Sequence, residues 1–551
     1  MACISENAAL SLRSMAFLRV EKKQSGTYLR IVQSYKENGV ARHKTLHSLG
    51  KLEDYPVDQL EAIAKKLLSL AGVALEDIIA NSFKEVGRYN YGYALVIKKL
   101  WSIYKMEVFV RQVSQRRKLS IDWEGALQLM IAERLNDPCS KHQSYFNQEE
   151  YLGWENYQLH HFYRSLDVLA DHQEALKEHF FKQHRDLFSQ SLDVVFYDVT
   201  TLYFDSQVEE AGALRQKGYS KDGKSHKTQV VLGLLVDKYR NPVSYQVYQG
   251  NTYEGKTLRD AVRDLKAKYP IDRVVVVADS SMIDQANRDY IETVETMDYI
   301  IGDSIKNLPK EIQTSLLESK NHKGITRDES TKQVTFSYTS VNYKGRKILC
   351  TYSAKRARKD AHKREKLIEK ATDIIENPQE YTKAKKKGAG RFIKTESGDQ
   401  NLSLDIEKIE KDKKFDGFKA IATSTDLKAE ELLEKYHDLY KIEQAFRTLK
   451  SQLEIRPMFH WTDQRIEGHI AMCFIAFTFL NYLGNLTKLS ERQLVKAMDS
   501  MQMSAIEDDT SDELVYMRSK ITDNQTLIAK KLKLVVPKDI TPQRVVNQMF
   551  N

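Results

Sequence analysis

Cysteine is scarce. The 551-residue chain carries four, Cys3, Cys139, Cys350 and Cys473, far apart and without a CxxC pair. That spacing argues against a disulfide framework or a zinc knuckle, and for reduced thiols in an intracellular protein. No HExxH occurs among the 14 histidines, so a zinc hydrolase has no support. Long apolar runs are missing too. The longest, "IAMCFIAFTFL" from Ile470 to Leu480, is far below the roughly 20 residues needed to span a bilayer. It reads as a helix buried on all sides. The amino terminus lacks a basic stretch followed by a sustained apolar one, so secretion is not expected. These absences predict a cytoplasmic protein with no membrane partner.

What is present points to several folded domains, because 551 residues exceed one compact core. Hydrophobic residues make up 41% and charged residues 29%, a globular balance. Lys and Arg number 85 against 76 Asp and Glu, a net charge of +9. This mild cationic excess is compatible with a polyanionic partner without requiring one.

Pattern divides the chain. Residues 1–55 hold a small β meander from Met15 to Gly50, with Asn38-Gly39 as a hairpin turn. Its Arg30, Lys36, Arg42 and Lys44 read either as phosphate contacts or as the solvated face of a small sheet. Residues 56–190 are mainly helical, opening with "DQLEAIAKKLLSLAG" and its C-cap Gly72. A DNA-end-binding region and a helical packing domain fit this block equally well. Residues 191–305 switch to strands: three joined by short connections, one helix, then two more, which is a mixed sheet. Residues 306–415 are highly charged, with a hairpin at Lys344-Gly345, a basic helix and the cationic loop "KAKKKGAGR". Residues 416–485 contain a strand, an amphipathic helix and the buried helix, and 486–551 a helical tail. The fold class is α/β and multidomain.

Acidic residues in apolar surroundings are the first chemical signal. Asp198 lies within "VVFYDVTTLYF", where an ionised carboxylate is costly unless paired or metal-bound. Asp279 ends a run of four valines and an alanine, at the tip of a strand. Taken singly, each also reads as a hydrogen-bonded strand-end residue, and Asp303 in "IIGDSI" is a rival of the same kind. In "YHDLYKIEQAFRTLK" and just beyond it, Leu439, Ile442, Phe446, Leu449 and Leu453 form one apolar seam at helical spacing. About 100° round from Ile442, Tyr436, Glu443 and Lys450 recur every seventh residue, with Arg447 beside Glu443. The bland alternative is a Glu443–Arg447 surface pair.

"FYDVTTLYF", "VVVADSSM" and "YHDLYKIEQAFRTLKSQLEIRPMFHW" together resemble the three catalytic blocks of insertion-sequence transposases of the DDE type. One subgroup carries a Y-x2-R-x3-E-x6-K signature, matched here by Tyr436, Glu443 and Lys450, with Leu439 in place of the arginine. "NTYEGKT", "KFDGFKAIAT" and "RPMFHW" resemble its connecting motifs, and the meander resembles its amino-terminal segment. The resemblance covers roughly residues 190 to 480.

It implies an RNase H-like mixed β-sheet catalytic core interrupted by an inserted β/α domain, preceded by the meander and the helical region. Asp198, Asp279 and Glu443 would be catalytic and would ligate two Mg²⁺ ions, with Mn²⁺ as a substitute. Lys450 and Tyr436 would hold DNA phosphates, and Arg447 or Arg456 would replace the missing arginine. His460, Trp461 and Arg465 would line the DNA channel, with His469 either beside them or packed on the buried helix. No tryptophan lies between Trp154 and Trp461, so a base-clamping aromatic there would have to be a tyrosine such as Tyr338 or Tyr343. The implied partners are element terminal repeats and target DNA, in a nucleoid-associated homodimer. The rivals are a nuclease of the same fold that cuts without joining, and a non-catalytic DNA-binding repressor or remnant.

Overall fold

The computed structural model describes residues 16–37, 40–72, 83–117, 121–154, 156–188, 194–205, 213–219, 226–268, 274–279, 285–294, 296–376, 388–395, 402–508 and 514–550. The chain forms two compact units, Met1–Gly87 with Ala505–Val515, and Arg88–Ser504 with Tyr516–Asn551.

In the smaller unit, strands β1 (Ala16–Lys23), β2 (Gly26–Glu37) and β3 (Val40–Lys51) form the antiparallel meander in the order β1-β2-β3. Gly26, at φ +131°, makes the first turn. The Asn38-Gly39 turn lies outside the described residues. Leu29 and Val32 are buried, whereas Arg30 pairs with Glu21 at 3.5 Å. Helix α1 (Val57–Leu70) ends where Gly72 turns to φ +68°, the expected cap.

The larger unit begins with helices. Helix α2 (Trp123–Asn136) is capped by Asp122, which accepts from the Gly125 amide at 3.0 Å, and is buried along most of its length. The short α3 (Lys141–Asn147) and α4 (Leu159–Asp171) follow. Much later in the chain, α9 (Asp463–Thr487) packs on α2 and α4. Every residue from His469 to Asn481 in α9 is buried, as the apolar run predicts. It is the one described helix long and apolar enough to cross a membrane, yet 78% of its apolar window is buried inside the protein.

The central sheet has ten strands. Five of them are β4 (Val194–Tyr203), β5 (Thr228–Asp237), β6 (Pro242–Gln249), β7 (Val274–Ala278) and β8 (Met297–Asp303). β4, β5 and β6 pair antiparallel in sequence, while β7 and β8 run parallel to β4 on its other side. The spatial order β8-β7-β4-β5-β6 is the RNase H-like arrangement, with β4 central. β5, "TQVVLGLLVD", is buried at every position, and Gly233 makes room for the Tyr197 ring on β4. Helix α5 (Glu254–Lys268), between β6 and β7, covers one face through Leu258, Ala261, Val262 and Leu265.

Residues 306–415 extend this sheet. Strands β9 (Lys323–Arg327), β10 (Val334–Tyr343) and β11 (Arg346–Ser353) pair antiparallel in succession. β11 then pairs with β12 (Phe418–Thr423), which itself pairs with β8. Lys344 and Gly345, both at positive φ, make the expected hairpin turn. The basic helix α6 (Ala354–Glu376) follows β11 and buries Ala371 against Phe392, Ile393 and Ile409. Most of the cationic loop "KAKKKGAGR" lies outside the described residues.

Candidate active site

Strand alternation decides which way the acidic residues point. Val195, Tyr197 and Val199 of β4, and Val274, Val276 and Ala278 of β7, all pack into the core beneath α5. Their alternate neighbours therefore face the other side of the sheet. Asp198 belongs to that second set, and so does Asp279, the residue after Ala278. The parallel register pairs Tyr197 with Ala278, so Asp198 and Asp279 are the next two neighbours across the strands. Asp198 is half-buried between buried residues and accepts the Val199 amide at 2.7 Å; Asp279 is exposed.

The opposing carboxylate comes from beyond β12. Helix α7 (Ala429–His437) and helix α8 (Tyr440–Arg447) come after that strand, and α8 packs on β4 and β5. Of the seam read from the sequence, Ile442, Phe446, Leu449 and Leu453 are buried, joined by Ala445, whereas Leu439 is only half-buried. Glu443, on α8, lines a cleft of about 700 Å³ together with Asp279, Tyr436 and Leu439. One continuous helix over 436–450 does not form, which corrects the single-face reading. At Asp438–Leu439 the hydrogen bonds tighten, with Leu439 N to Tyr436 O at 3.2 Å and Lys441 N to Asp438 O at 2.9 Å. After Arg447 the chain enters a π-helical turn, Thr448–Gln452. There Thr448 bonds back to the Gln444 carbonyl at 3.1 Å and across to Glu491 at 2.6 Å. Each irregularity rotates the residues C-terminal to it off the heptad line. Tyr436 and Glu443 still meet in the cleft, but Lys450 is not among its lining residues and lies over the Phe446 ring at 5.9 Å.

Cations that sequence reasoning missed complete the cleft. Lys419 on β12 and Arg356 on α6 line it beside Asp279 and Glu443. The Lys419 ammonium sits 4.3 Å over the Tyr436 ring. Burial and then Arg356 push its pKa down, while Asp279 and Glu443 pull it up. Tyr436 is 7% exposed, and burial, then Asp279, raise its phenol. A lysine inside "FKAIATST", a strand otherwise apolar or small, was the available signal for Lys419. Asp303 also lines the cleft, but it is held by Arg288 at 3.3 Å and Arg346 at 3.7 Å, so it is a structural ion pair. Asp416 is similarly held by Arg364, and Asp412 by Arg391 at 2.9 Å and by Lys306.

Oxygen donors on a rigid strand tip and an opposing helix suit a hard divalent cation. Among the described residues, no three His, Cys, Asp or Glu side chains stand close enough to form a finished metal cage. Asp279 and Glu443 line the cleft while Asp198 is not among its lining residues, and Lys419 supplies positive charge beside the first two.

The remaining candidates separate into two places. Arg447 is exposed on α8, outside the cleft. Arg456 lies over Tyr203, at the end of β4, at 5.2 Å. His460, Trp461 and Arg465 gather with His469 around a second cavity of about 360 Å³, to which α2, α3 and α4 also contribute. Tyr338 donates to Glu430 at 2.5 Å, and Tyr343 flanks the hairpin turn.

A sheet of this topology, with one carboxylate within its central strand and another at the tip of the neighbouring strand, is the scaffold of enzymes that cut and join polynucleotides. Residues 189–479, more than half of the chain, match the family described as transposase DDE domain, and the protein belongs to that family. It is a DNA transposase: it cleaves DNA and transfers the freed strands, as DDE enzymes do with divalent metal ions. Residues 18–72 match the IS1634 family transposase N-terminal domain, so the meander and α1 are part of the same design. No curated protein matches the chain. Among solved structures, a piggyBac transposase synaptic complex with hairpin DNA aligns with a TM-score of 0.38 and 9% identity, over 83% of this chain and 82% of that one. A Mos1 transposase paired-end complex with left transposon end aligns with a TM-score of 0.14 and 15% identity, over 32% of this chain and 57% of that one.

Proposed function

We propose that Asp198, Asp279 and Glu443 are the catalytic carboxylates and hold two Mg²⁺ ions, with Mn²⁺ able to replace them. The observation that carries this reading is the β4–β7 register, which makes Asp198 and Asp279 neighbours on the face covered by the helix of Glu443. Bound there, the ions supply an activated water and stabilise charge on the leaving oxygen. The chain does the rest. Lys419 and Arg356 hold the scissile phosphate against the carboxylates, and Tyr436 fixes Lys419 through its ring face. Arg356 and Lys419 thereby fill the place left by Leu439, where the subgroup signature has arginine. Arg447, Lys450 and Arg456 contact DNA away from the reacting phosphate, and His460, Trp461 and Arg465 contact it at the second cavity.

The element's terminal inverted repeats are the substrate, and the freed 3′-hydroxyl attacks target DNA at the same site. Residues 56–190 read the ends, and two copies bring both ends together as a homodimer in the nucleoid. The deciding experiment is Mg²⁺-dependent cleavage of a terminal-repeat duplex by wild type and by Asp279→Asn, followed by joining of pre-cut 3′-hydroxyl ends to a plasmid. Equal cleavage by both proteins removes Asp279 from the site. Cleavage without joined product, under conditions that support it in a known transposase, overturns strand transfer for this chain.

A further inference from the structure

The second cavity is more strongly built than a rim of DNA contacts requires. Two cations lie at its base: Arg134 from α2, 5% exposed, and Lys141 at the start of α3, 3% exposed. Arg134 donates only to neutral carbonyls, those of Leu453 at 3.3 Å, Glu454 at 3.4 Å and Cys139 at 3.0 Å, and its Nε has no partner among the described residues. No hydrogen bond or ion pair joins the Lys141 ammonium to another described residue. The nearby acid, Glu133, is engaged by Asn147 at 2.8 Å and Cys139 at 2.9 Å. His460 is held neutral, its pKa pushed down to about 3 by burial and by Lys141, Arg134 and Arg465. Glu133 attracts the Lys141 ammonium from nearby without forming an ion pair with either cation, and buried charge that is not directly paired costs several kcal/mol in a protein interior. A cavity holding two such groups is made for an anion.

Its mouth is aromatic. Trp461 is 59% exposed, and the Arg215 guanidinium lies 4.4 Å over its ring, fixing the indole's plane. Across the cavity Tyr163 lies beneath Arg465 at 4.8 Å. A recessed cation beside an exposed, braced ring matches a phosphate attached to a flat heterocycle. A phosphate within an intact duplex cannot descend to a side chain that is 3% exposed. A chain end or an unpaired nucleotide can, and about 360 Å³ falls in the size range of small-molecule sites.

We infer that this cavity binds one phosphorylated nucleotide with an unpaired base, its phosphate at Lys141 and Arg465 and its base on Trp461. The inference rests on the reading of the protein as a DNA-handling enzyme, but it concerns a site separate from the carboxylate cleft. Three of the four tryptophans, Trp101, Trp123 and Trp154, are at most 3% exposed, so quenching of tryptophan emission by a base reports Trp461.

The test is a fluorescence titration of the full chain, without metal, with dAMP, with deoxyadenosine and with a short single-stranded oligonucleotide. The expected result is saturable quenching by a phosphorylated probe at least about tenfold tighter than by deoxyadenosine, weakened about tenfold in Lys141→Met and restored in Lys141→Arg. Quenching by dAMP and oligonucleotide alike assigns the site to any nucleotide; quenching by the oligonucleotide alone assigns it to a DNA strand. Equal affinity for deoxyadenosine and dAMP with no tighter oligonucleotide, or no saturable quenching by any probe, overturns the proposal. The comparison of probes on wild type needs no variant to fold. A wild type that cleaves terminal-repeat DNA with Mg²⁺ but shows no phosphate preference loses this site alone. One that shows the preference without cleaving keeps it and loses the carboxylate assignment.

Discussion

Asp198 and Asp279 stand side by side because Tyr197 and Ala278, the residues before them, are paired in the parallel register of β4 and β7. Adjacent strands lie about 4.8 Å apart. Two like charges at that spacing repel unless a cation lies between or beside them. Replacing either with asparagine, or Glu443 with glutamine, is expected to reduce Mg²⁺-dependent cleavage on the order of 10²-fold or more. Binding of terminal-repeat DNA in chelator should survive all three changes, since each removes negative charge facing a polyanion. Cleavage that persists in any of the three within a fewfold of wild type removes that residue from the site.

Lys419 bears on the metal-free enzyme. Its ammonium feels Asp279 and Glu443 together and is the nearby cation rooted in the sheet itself. Burial and Arg356 outweigh that attraction and lower its pKa, so the charged lysine costs the metal-free fold stability, and Lys419→Met should raise the unfolding midpoint in chelator. Added Mg²⁺ should then raise the midpoint of the variant more than that of wild type; a ligand at 100 times its dissociation constant contributes about 2.7 kcal/mol. Identical midpoints in chelator would show that Lys419 carries no such burial penalty.

Lys141 makes stability depend on pH. Burial, with help from Arg134, pushes its pKa down to about 7, against the opposing pull of Cys139, Cys473 and Glu133. The unfolded chain keeps an ordinary lysine near 10.4. Between those values the unfolded state holds a proton that the folded state has released, so stability rises with pH across that window. Below pH 7 the penalty is complete. Lys141→Met, which removes it, should stabilise the protein by roughly 3 to 5 kcal/mol at pH 7, before any loss of favourable contacts. The advantage should shrink towards pH 10. Midpoints of the two proteins compared from pH 6.5 to 10 decide it, and a gap that does not narrow with pH refutes the burial of a charged Lys141.

Regular patterns in the sequence carried a large share of this architecture. "TQVVLGLLVD" and "RVVVVADSS" are apolar and β-branched, and they became interior strands of the sheet. Ile470–Leu480 is apolar on every side, and it became the buried helix. The acidic residues were legible because a carboxylate among valines is chemically conspicuous. What escaped was anything set by an irregularity or by a distant partner. Heptad spacing placed Lys450 beside Glu443, but the tightened turn at Leu439 and the π turn from Thr448 rotate the chain off that period. Arg356 looked like one cation in a solvated run; only the pairing of β11 with β12 places its helix over the cleft. Lys141 carried no local sign of burial at all.

The crossing of α4 and α9 gives the last test, through two glycines on the same helix. At Gly468 a methyl group would lie 2.1 Å from the Leu166 carbonyl oxygen and 2.7 Å from its carbon. Those are backbone atoms, so no rotamer change relieves the clash and the two helices must move apart. Overpacking of this kind costs about 1 to 3 kcal/mol. At Gly484 a methyl would meet only the Leu489 carbonyl oxygen, at 3.7 Å, an ordinary contact. There alanine should gain about 0.5 to 1 kcal/mol from helix propensity. Gly468→Ala should therefore lower the unfolding midpoint and Gly484→Ala hold or raise it. Because Arg465 and His469 flank Gly468, the first change should also weaken oligonucleotide quenching of Trp461 at temperatures where the protein is still folded. Equal midpoints for the two variants would mean that α4 and α9 do not touch backbone to backbone at Gly468.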